Sequence, residues 1–258
     1  MPELQPTGAF EWTQAFGFTA LRCLPLLAHA DHLFTTGDLR LREDGDEWSA
    51  VARAMGVGPS ALRLIRQVHG VRAVADRPGG GPWTRPEADI ILSDDPSSAV
   101  VVRVADCAPV LMADTKRGVV AAAHAGWRGT AQRAAAAAVL AMREHFGSEA
   151  EDLVAAIGPC LGECCGEVGP DVVDAFRQNG HSDADLRNWF TPGAGDRHLL
   201  ALGQANRDQL VAEGVPGGSI YAAALCTKTH SNAFHSYRAQ GASAGRMAAV
   251  IRARHGQG

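Results

Sequence analysis

Two imidazoles and one thiol define the chemistry this chain is equipped for. Cys107 closes the run VVRVADC, His124 ends GVVAAAH, and His69 in RQVHG follows the apolar Leu62, Leu64, Ile65 and Val68. Each donor stands where a predicted strand gives way to a loop. If those strands neighbour one another in a sheet, their ends converge and the three donors make a zinc set with its fourth position open, as in a catalytic site. Taken singly, each residue has a plainer reading. A lone cysteine between aspartate and alanine is commonly a small buried hydrophobe, and a lone histidine after an apolar run is commonly a hydrogen-bonded rim residue. The surroundings favour chemistry: Gly126, Trp127, Arg128 and Gly129 crowd the donors where plain strand ends need only turn residues. The gaps are too long for zinc-finger spacing, so spacing alone does not identify the site.

The elements that must position these residues are legible in outline. Thr130 to Phe146 predicts one alanine-rich helix stopped by Gly147. The segment GWRG feeds into its N-terminus, where free amides and the helix dipole favour an anion, with Arg128 beside it or, alternatively, simply capping the surface. Strands are expected over His32–Thr36, into His69, over Ala88–Leu92, Leu153–Ile157 and Ser219–Cys226; helices over Trp48–Met55, Asp171–Gln178, Ala184–Phe190 and Leu199–Glu213. Asp89 orients a ligand or the substrate or, on the plainer reading of a strand-end aspartate, closes a turn. Asp106 either holds a ligand and passes a proton or serves a turn. The loop RPGGGPWTRPE (77–87) is equally an active-site cover and a surface insertion. Cys160, Cys164 and Cys165 suggest a second cluster, but neighbours in an extended chain face opposite ways, so packing beneath the site is the preferred reading.

Composition sets the class. The chain has 258 residues, 46% hydrophobic and 20% charged, with a formal net charge of -4. It suits one large α/β domain, and mild acidity argues against a nucleic-acid partner. No run reaches the ~20 apolar residues that cross a bilayer, and the apolar stretch Leu21–Leu27 lacks the basic approach of a signal peptide. Six cysteines then fit a reducing compartment, so a cytoplasmic protein without membrane contact is expected. Neither a G-x-G-x-x-G after a strand nor a Walker sequence is present.

QVHG (67–70), ADCAPV (105–110), HAGWRG (124–129), IGPCLGECCGEVG (157–169), ALGQAN (201–206) and CTKTH…FHSYR (226–238) resemble, in order, the motifs of the YfiH/YlmD family, bacterial relatives of the human laccase-domain protein FAMIN. The resemblance spans about 24–252, taken as the core of a single domain. It implies an α/β (α+β) fold of mixed sheets in a layered sandwich with outer helices, shared with certain cysteine-hydrolase-like toxins (the CNF1/YfiH-like fold). It favours a strand over Arg246–Ile251 and implies that the residues matching its His, Cys and His bind zinc. Two departures stand out: Thr36 replaces an arginine that normally closes FTR, with Arg40 and Arg42 nearby, and Gly166 replaces a tyrosine after the cysteine pair.

The leading expectation is a zinc-dependent purine nucleoside phosphorylase, acting on adenosine, inosine and methylthioadenosine, with adenosine deaminase activity. Its metal ligands are His69, Cys107 and His124; Cys107, His124 and Asp106 serve catalysis; Arg128 and Arg238 clamp the anion. Its partners are a small-molecule nucleoside and phosphate, and a monomer is expected, although the sequence leaves self-association open. Three rivals remain open. Cys107 activated by His124 makes a cysteine hydrolase or amidase editing peptidoglycan precursors. Copper (Cu2+) in the same site makes a polyphenol oxidase, against which stands the single His₂Cys set. A structural zinc makes a non-enzymatic binding partner.

Overall fold

Strands that are apolar on both faces must be covered on both faces, and the central strands of this chain are of that kind. The computed structural model describes residues 4–43, 45–79 and 82–254. In chain order its strands are β1 (Phe10–Ala15), β2 (Phe18–Cys23), β3 (Ala30–Thr35), β4 (Leu62–Leu64), β5 (Ala73–Asp76), β6 (Ile90–Ser93), β7 (Ala99–Val104), β8 (Ala108–Asp114), β9 (Val120–Ala125), β10 (Leu153–Ile157), β11 (Glu167–Val168), β12 (Phe190–Pro192), β13 (His198–Leu200), β14 (Ile220–Ala222) and β15 (Met247–Ala253). The helices are α1 (Leu24–Leu27), α2 (Trp48–Ala54), α3 (Trp127–Ala131), α4 (Ala134–Phe146), α5 (Pro170–Gln178), α6 (Asp183–Trp189), α7 (Leu202–Ala212) and α8 (Tyr237–Gln240).

Two six-stranded sheets result, ordered β1-β2-β3-β15-β7-β4 and β14-β10-β8-β9-β6-β5, with a small β11-β13-β12 sheet beside them. Both large sheets are mixed: β4–β7, β10–β14 and β5–β6 run parallel, the other pairs antiparallel. Alternation along each strand divides its side chains between layers. Val100, Val102 and Ile251 of the first sheet meet Ile91, Leu111 and Ala122 of the second in one core. Val101 and Val250 turn the other way, onto Trp48, Val51 and Met55 around α2. Ile90, Val110, Met112 and Ala121 pack outward under α4 and α7. The expected single-domain sandwich with outer helices is the fold observed.

Three elements differ from the sequence expectation. The predicted helix Thr130–Phe146 is two helices, α3 and α4, broken where Arg133 takes φ 67. The break has a cause in α7: Asn206 Nδ2 donates to Thr130 Oγ1 (3.0 Å), and Gln209 Nε2 donates to the Thr130 carbonyl (2.7 Å). Buried amides thereby tie down the end of α3, and of GWRG the residues Trp127, Arg128 and Gly129 are helical while Gly126 is the extended residue before them. Leu199 belongs to β13, so α7 starts later than periodicity predicts. Finally, β4 lies in the first sheet and β8 and β9 in the second, so the three donors do not come from neighbours in one sheet. No helix among the described residues is long and apolar enough to cross a membrane.

Candidate metal centre

Asp89, at the start of β6, is fully buried, and a buried carboxylate must be paired. Its Oδ2 accepts from the backbone N–H of Val68 (3.1 Å) and Gly70 (2.8 Å), and its Oδ1 from that of His69 (2.9 Å). Three successive amides thus wrap one carboxylate and hold His69 at φ 62, a left-handed conformation that a β-carbon disfavours. Oδ1 also accepts from His124 Nδ1 at 2.7 Å. Burial pushes the Asp89 carboxyl up, but His124 and the Gly70 and Val68 amides outweigh it, so it titrates below the usual range. Asp89 thus holds the His124 imidazole directly and the backbone that carries His69.

The donors converge from two sheets. His124 sits in β9, registered against Pro109 of β8, which brings it beside Cys107 at the head of β8. His69 comes across from the loop after β4, and the two imidazoles meet edge to face with centroids 4.8 Å apart. Ligand atoms of His69, Cys107 and His124 all lie within 4.8 Å of one another. Burial pushes the Cys107 thiol up, but the charge and hydrogen bonds of His124 and His69 prevail and hold it down; the same pairing, with Asp89 behind it, raises His124 against its own burial. Gly126 makes room: a β-carbon there would stand 2.7 Å from Cys107 Sγ and 3.3 Å from His69 Cδ2. Two imidazole nitrogens and a thiolate-prone sulfur suit a zinc ion, and the Nδ1–H of His124 already donates to a carboxylate, the partner that fixes a ligand imidazole's tautomer.

Asp106 stands apart from that set. It bridges β7 and β8 at φ 89, its Oδ1 accepts from the Thr227 hydroxyl and its Oδ2 from the Arg238 N–H, each at 2.6 Å. Both oxygens tie down the segment after β14, which favours positioning over proton transfer.

The donors open into a cavity of about 570 Å³, within the range of small-molecule sites. Arg128 and Arg238 both line it, as do Arg66, Arg103 and Arg246, which no sequence motif marks for the site. Arg128 stacks on Trp127 with its guanidinium carbon 4.3 Å from the ring centroid. Arg238 Nη1 donates to the Glu167 carbonyl at 2.7 Å. Arg103 carried a signal: it is the one charge in the buried run of β7. Gln67 locks it in place, its side-chain amide exchanging hydrogen bonds with the Arg103 backbone at 2.7 and 2.8 Å. Val104, Leu161, Val168, Leu200 and Leu202 supply an apolar wall.

Thr36 is buried, donates to the Thr19 carbonyl (2.9 Å) and is absent from the cavity lining. Arg40 and Arg42 line an adjoining recess that shares Glu43, Arg103 and Arg246 with the cavity wall. Gly166 does line the cavity, but a β-carbon there would stand 2.5 Å from the Leu200 carbonyl oxygen, so this backbone admits no tyrosine without rearranging. The loop 77–87, of which 80 and 81 lie outside the described residues, is pinned by Trp83 Nε1 donating to the Leu64 carbonyl (2.6 Å). Its described residues line neither recess. Cys164 and Cys165 correct the expectation that neighbours face apart: in the 3₁₀ turn Glu163–Cys165 their sulfurs are 3.6 Å from each other.

Residues 42–254 match the family model described as multi-copper polyphenol oxidoreductase laccase. A purine nucleoside phosphorylase of Bacteroides thetaiotaomicron is 38% identical over 165 residues, 63% of this chain and 60% of that protein. Adenosine deaminase RL5, from an unknown prokaryotic organism, is 34% identical over 205 residues, 76% of each chain. The crystal structure of Bacillus licheniformis hypothetical protein YfiH superposes with a TM-score of 0.86 at 25% identity, covering 96% of this chain and 100% of that one.

Proposed function

This chain belongs to the multi-copper polyphenol oxidoreductase laccase family, in its YfiH/YlmD group, and we propose from that premise that it is a zinc-dependent purine nucleoside phosphorylase that also deaminates adenosine. The observation that carries the reading is the opening of the His69–Cys107–His124 set into a cavity with an apolar wall and several arginines. His69, Cys107 and His124 would hold the ion. When bound, zinc supplies Lewis-acid polarisation of a water or of phosphate.

The protein's own groups supply the rest. Asp89 keeps the Nδ1 proton of His124 directed away from Cys107, which fixes how both donors face the cavity. Arg128, on α3 beside His124, and Arg238, fastened to the Glu167 carbonyl, are the anion clamp. In phosphorolysis a phosphate oxygen bonds to ribose C1′ as the bond to the purine nitrogen breaks, and that electron pair departs with the base and takes a proton. In deamination water adds at C6 of adenine and ammonia leaves. The arginines favour the first by holding the phosphate dianion near the sugar; Val104, Leu161 and Leu202 offer an apolar bed for the base.

A second reading has its own observation. Cys107, drawn toward thiolate by His124, is also what a cysteine hydrolase requires. Chromatography of adenosine incubations, with and without phosphate and beside Cys107→Ala, tests the proposal. Adenine with ribose 1-phosphate only when phosphate is present, and inosine in either tube, each absent from the variant, are expected. Unchanged adenosine throughout from a zinc-loaded protein overturns the nucleoside reading. Activity that survives complete chelation of the metal shifts the choice to the cysteine nucleophile.

A further inference from the structure

A second group of soft donors stands among the described residues, away from His69 and His124. The sulfurs of Cys164, Cys165 and Cys226 all lie within 4.8 Å of one another. Cys164 Sγ is 3.6 Å from Cys165 Sγ, and each is 3.4 Å from Thr229 Oγ1. Local geometry explains how adjacent residues share a side. They occupy one 3₁₀ turn entered from an extended Gly162 and closed by Cys165 N–H donating to the Gly162 carbonyl at 3.0 Å. Position 162 also keeps the trio accessible to one another: a β-carbon there would sit 3.0 Å from Cys226 Cβ and 3.5 Å from the sulfurs of both Cys164 and Cys226. All three cysteines are free thiols.

The group lies where two loops of the cavity wall meet. The loop after β10 bridges to the loop after β14 through Cys160 N–H donating to the Leu225 carbonyl (3.2 Å) and Thr227 N–H donating to the Cys160 carbonyl (3.0 Å). The first loop contributes Leu161 and Gly166 to the cavity, β11 beyond it contributes Val168, and α8, which follows the second loop, contributes Tyr237 and Arg238. Three sulfurs without an imidazole or a carboxylate in the set do not suit hard cations, which take oxygen ligands; soft ions select thiolates. We propose that Cys164, Cys165 and Cys226 form a second metal site, distinct from the His69–Cys107–His124 set, that takes a thiophilic ion of the Cu(I) or Zn(II) class and staples these two loops together.

Each thiol that ligates gives up its proton to solvent, so loading releases protons and needs no redox partner. Burial opposes ionisation of Cys226, yet hydrogen bonds from Thr229, the Gly162 backbone and Cys164 lower its thiol, while the same pairing raises that of Cys164. Cys164 is exposed, which leaves the site an entry path. An ion here would fix the turn whose Cys165 and Glu167 carbonyls face Arg238.

The test uses the full chain, purified reduced, in a Cys107→Ala background that takes the sulfur out of the first donor set. Zn(II) is added in one arm and Cu(I) in reducing buffer in the other, and metal per chain is measured by mass spectrometry after desalting. About one ion per chain is expected in at least one arm, falling to background in Cys107→Ala/Cys164→Ser/Cys165→Ser. The arm that loads identifies the ion. In parallel, the reaction of exposed Cys164 with a thiol reagent is timed in Cys107→Ala, where the added ion is expected to slow it at least tenfold. This reading needs no triple variant, so a folding failure there leaves the question decidable. Background metal in both arms with unprotected thiols, an ion retained in the triple variant, or a disulfide among the three cysteines in reduced protein overturns the proposal.

Discussion

Asp89 Oδ1 stands 2.7 Å from His124 Nδ1 and 2.9 Å from the backbone nitrogen of His69, so one carboxylate holds the ring of one donor directly and the backbone of the other, on the loop that joins the two sheets. Asparagine keeps the size of Asp89 and loses its acceptor capacity, because an amide must turn an NH₂ group toward at least one of four N–H donors. Asp89→Asn is expected to weaken zinc binding about 10–100-fold, the usual consequence of removing a ligand's carboxylate partner. Competition against a chromophoric chelator measures it. Affinity unchanged in a variant with a native circular dichroism spectrum would show that the imidazoles orient themselves.

Gly126 separates the donors by having no side chain. Because a β-carbon at 126 would press to 2.7 Å from Cys107 Sγ, Gly126→Ala must displace the sulfur or open the start of α3. Metal affinity is expected to fall at least about tenfold, while Tm moves by only a few degrees, since no core residue is removed. Chelator competition and a thermal melt on one preparation separate the two effects. A large loss of Tm with affinity intact would place the strain in the backbone.

These relationships explain what the sequence disclosed and what it withheld. The ligand types, the buried strands and the outer helices follow from local pattern, because β7, β8 and β9 are apolar on both faces and α4 is rich in alanine. The crossing of β7 and β8 into different sheets does not, since strand order depends on contacts far apart in sequence. Asp89 looked like a turn residue because its four hydrogen-bond partners span 68 to 124. The ALGQAN motif acquires a role only in three dimensions, where Asn206 fastens the end of α3. Alternation along an extended chain would set Cys164 and Cys165 on opposite sides, and the 3₁₀ turn brings them to one.

Gly158 offers a test of packing beneath the site. A β-carbon there would collide with the Phe34 ring and stand 3.0 Å from Pro109 Cγ, between the two sheets. Overpacking of this kind typically costs about 1–3 kcal/mol. Gly158→Ala is expected to lower Tm by about 3–10 °C at this chain length. A melt with no shift would mean that Phe34 has a second rotamer available.

On the proposed function, Arg128 would separate phosphorolysis from deamination, because only the first needs the phosphate dianion. Its guanidinium is held over Trp127 at the cavity rim, and a charge-assisted contact of a partly exposed group is worth about 1–2 kcal/mol. Arg128→Gln is expected to raise KM for phosphate about tenfold and to leave KM for adenosine in the deamination assay within about twofold. Equal losses in both assays would assign Arg128 to the nucleoside instead.

His32 couples stability to pH away from the metal centre. It is 2% exposed in β3, its Nε2 accepts from the Cys23 N–H (2.9 Å), and its Nδ1 faces the Ala30 carbonyl (3.3 Å). Only the neutral ring satisfies both partners, since protonated Nε2 would meet an N–H. Burial lowers its pKa from 6.5 to about 4, the Ala30 carbonyl and Asp31 raise it, and Arg22 and Arg254 lower it further. The folded pKa is the depressed one, so His32 contributes its full stability above about pH 6.5 and loses it as pH falls toward 4. The total is on the order of 3 kcal/mol. His32→Gln keeps an acceptor without titrating, so the difference in urea midpoint between it and the unaltered protein is expected to shrink or reverse from pH 7 to pH 4. Comparing the two proteins at each pH cancels the contributions of His181 and His235, which burial also depresses. Parallel profiles across that window would show that His32 carries no part of the acid sensitivity.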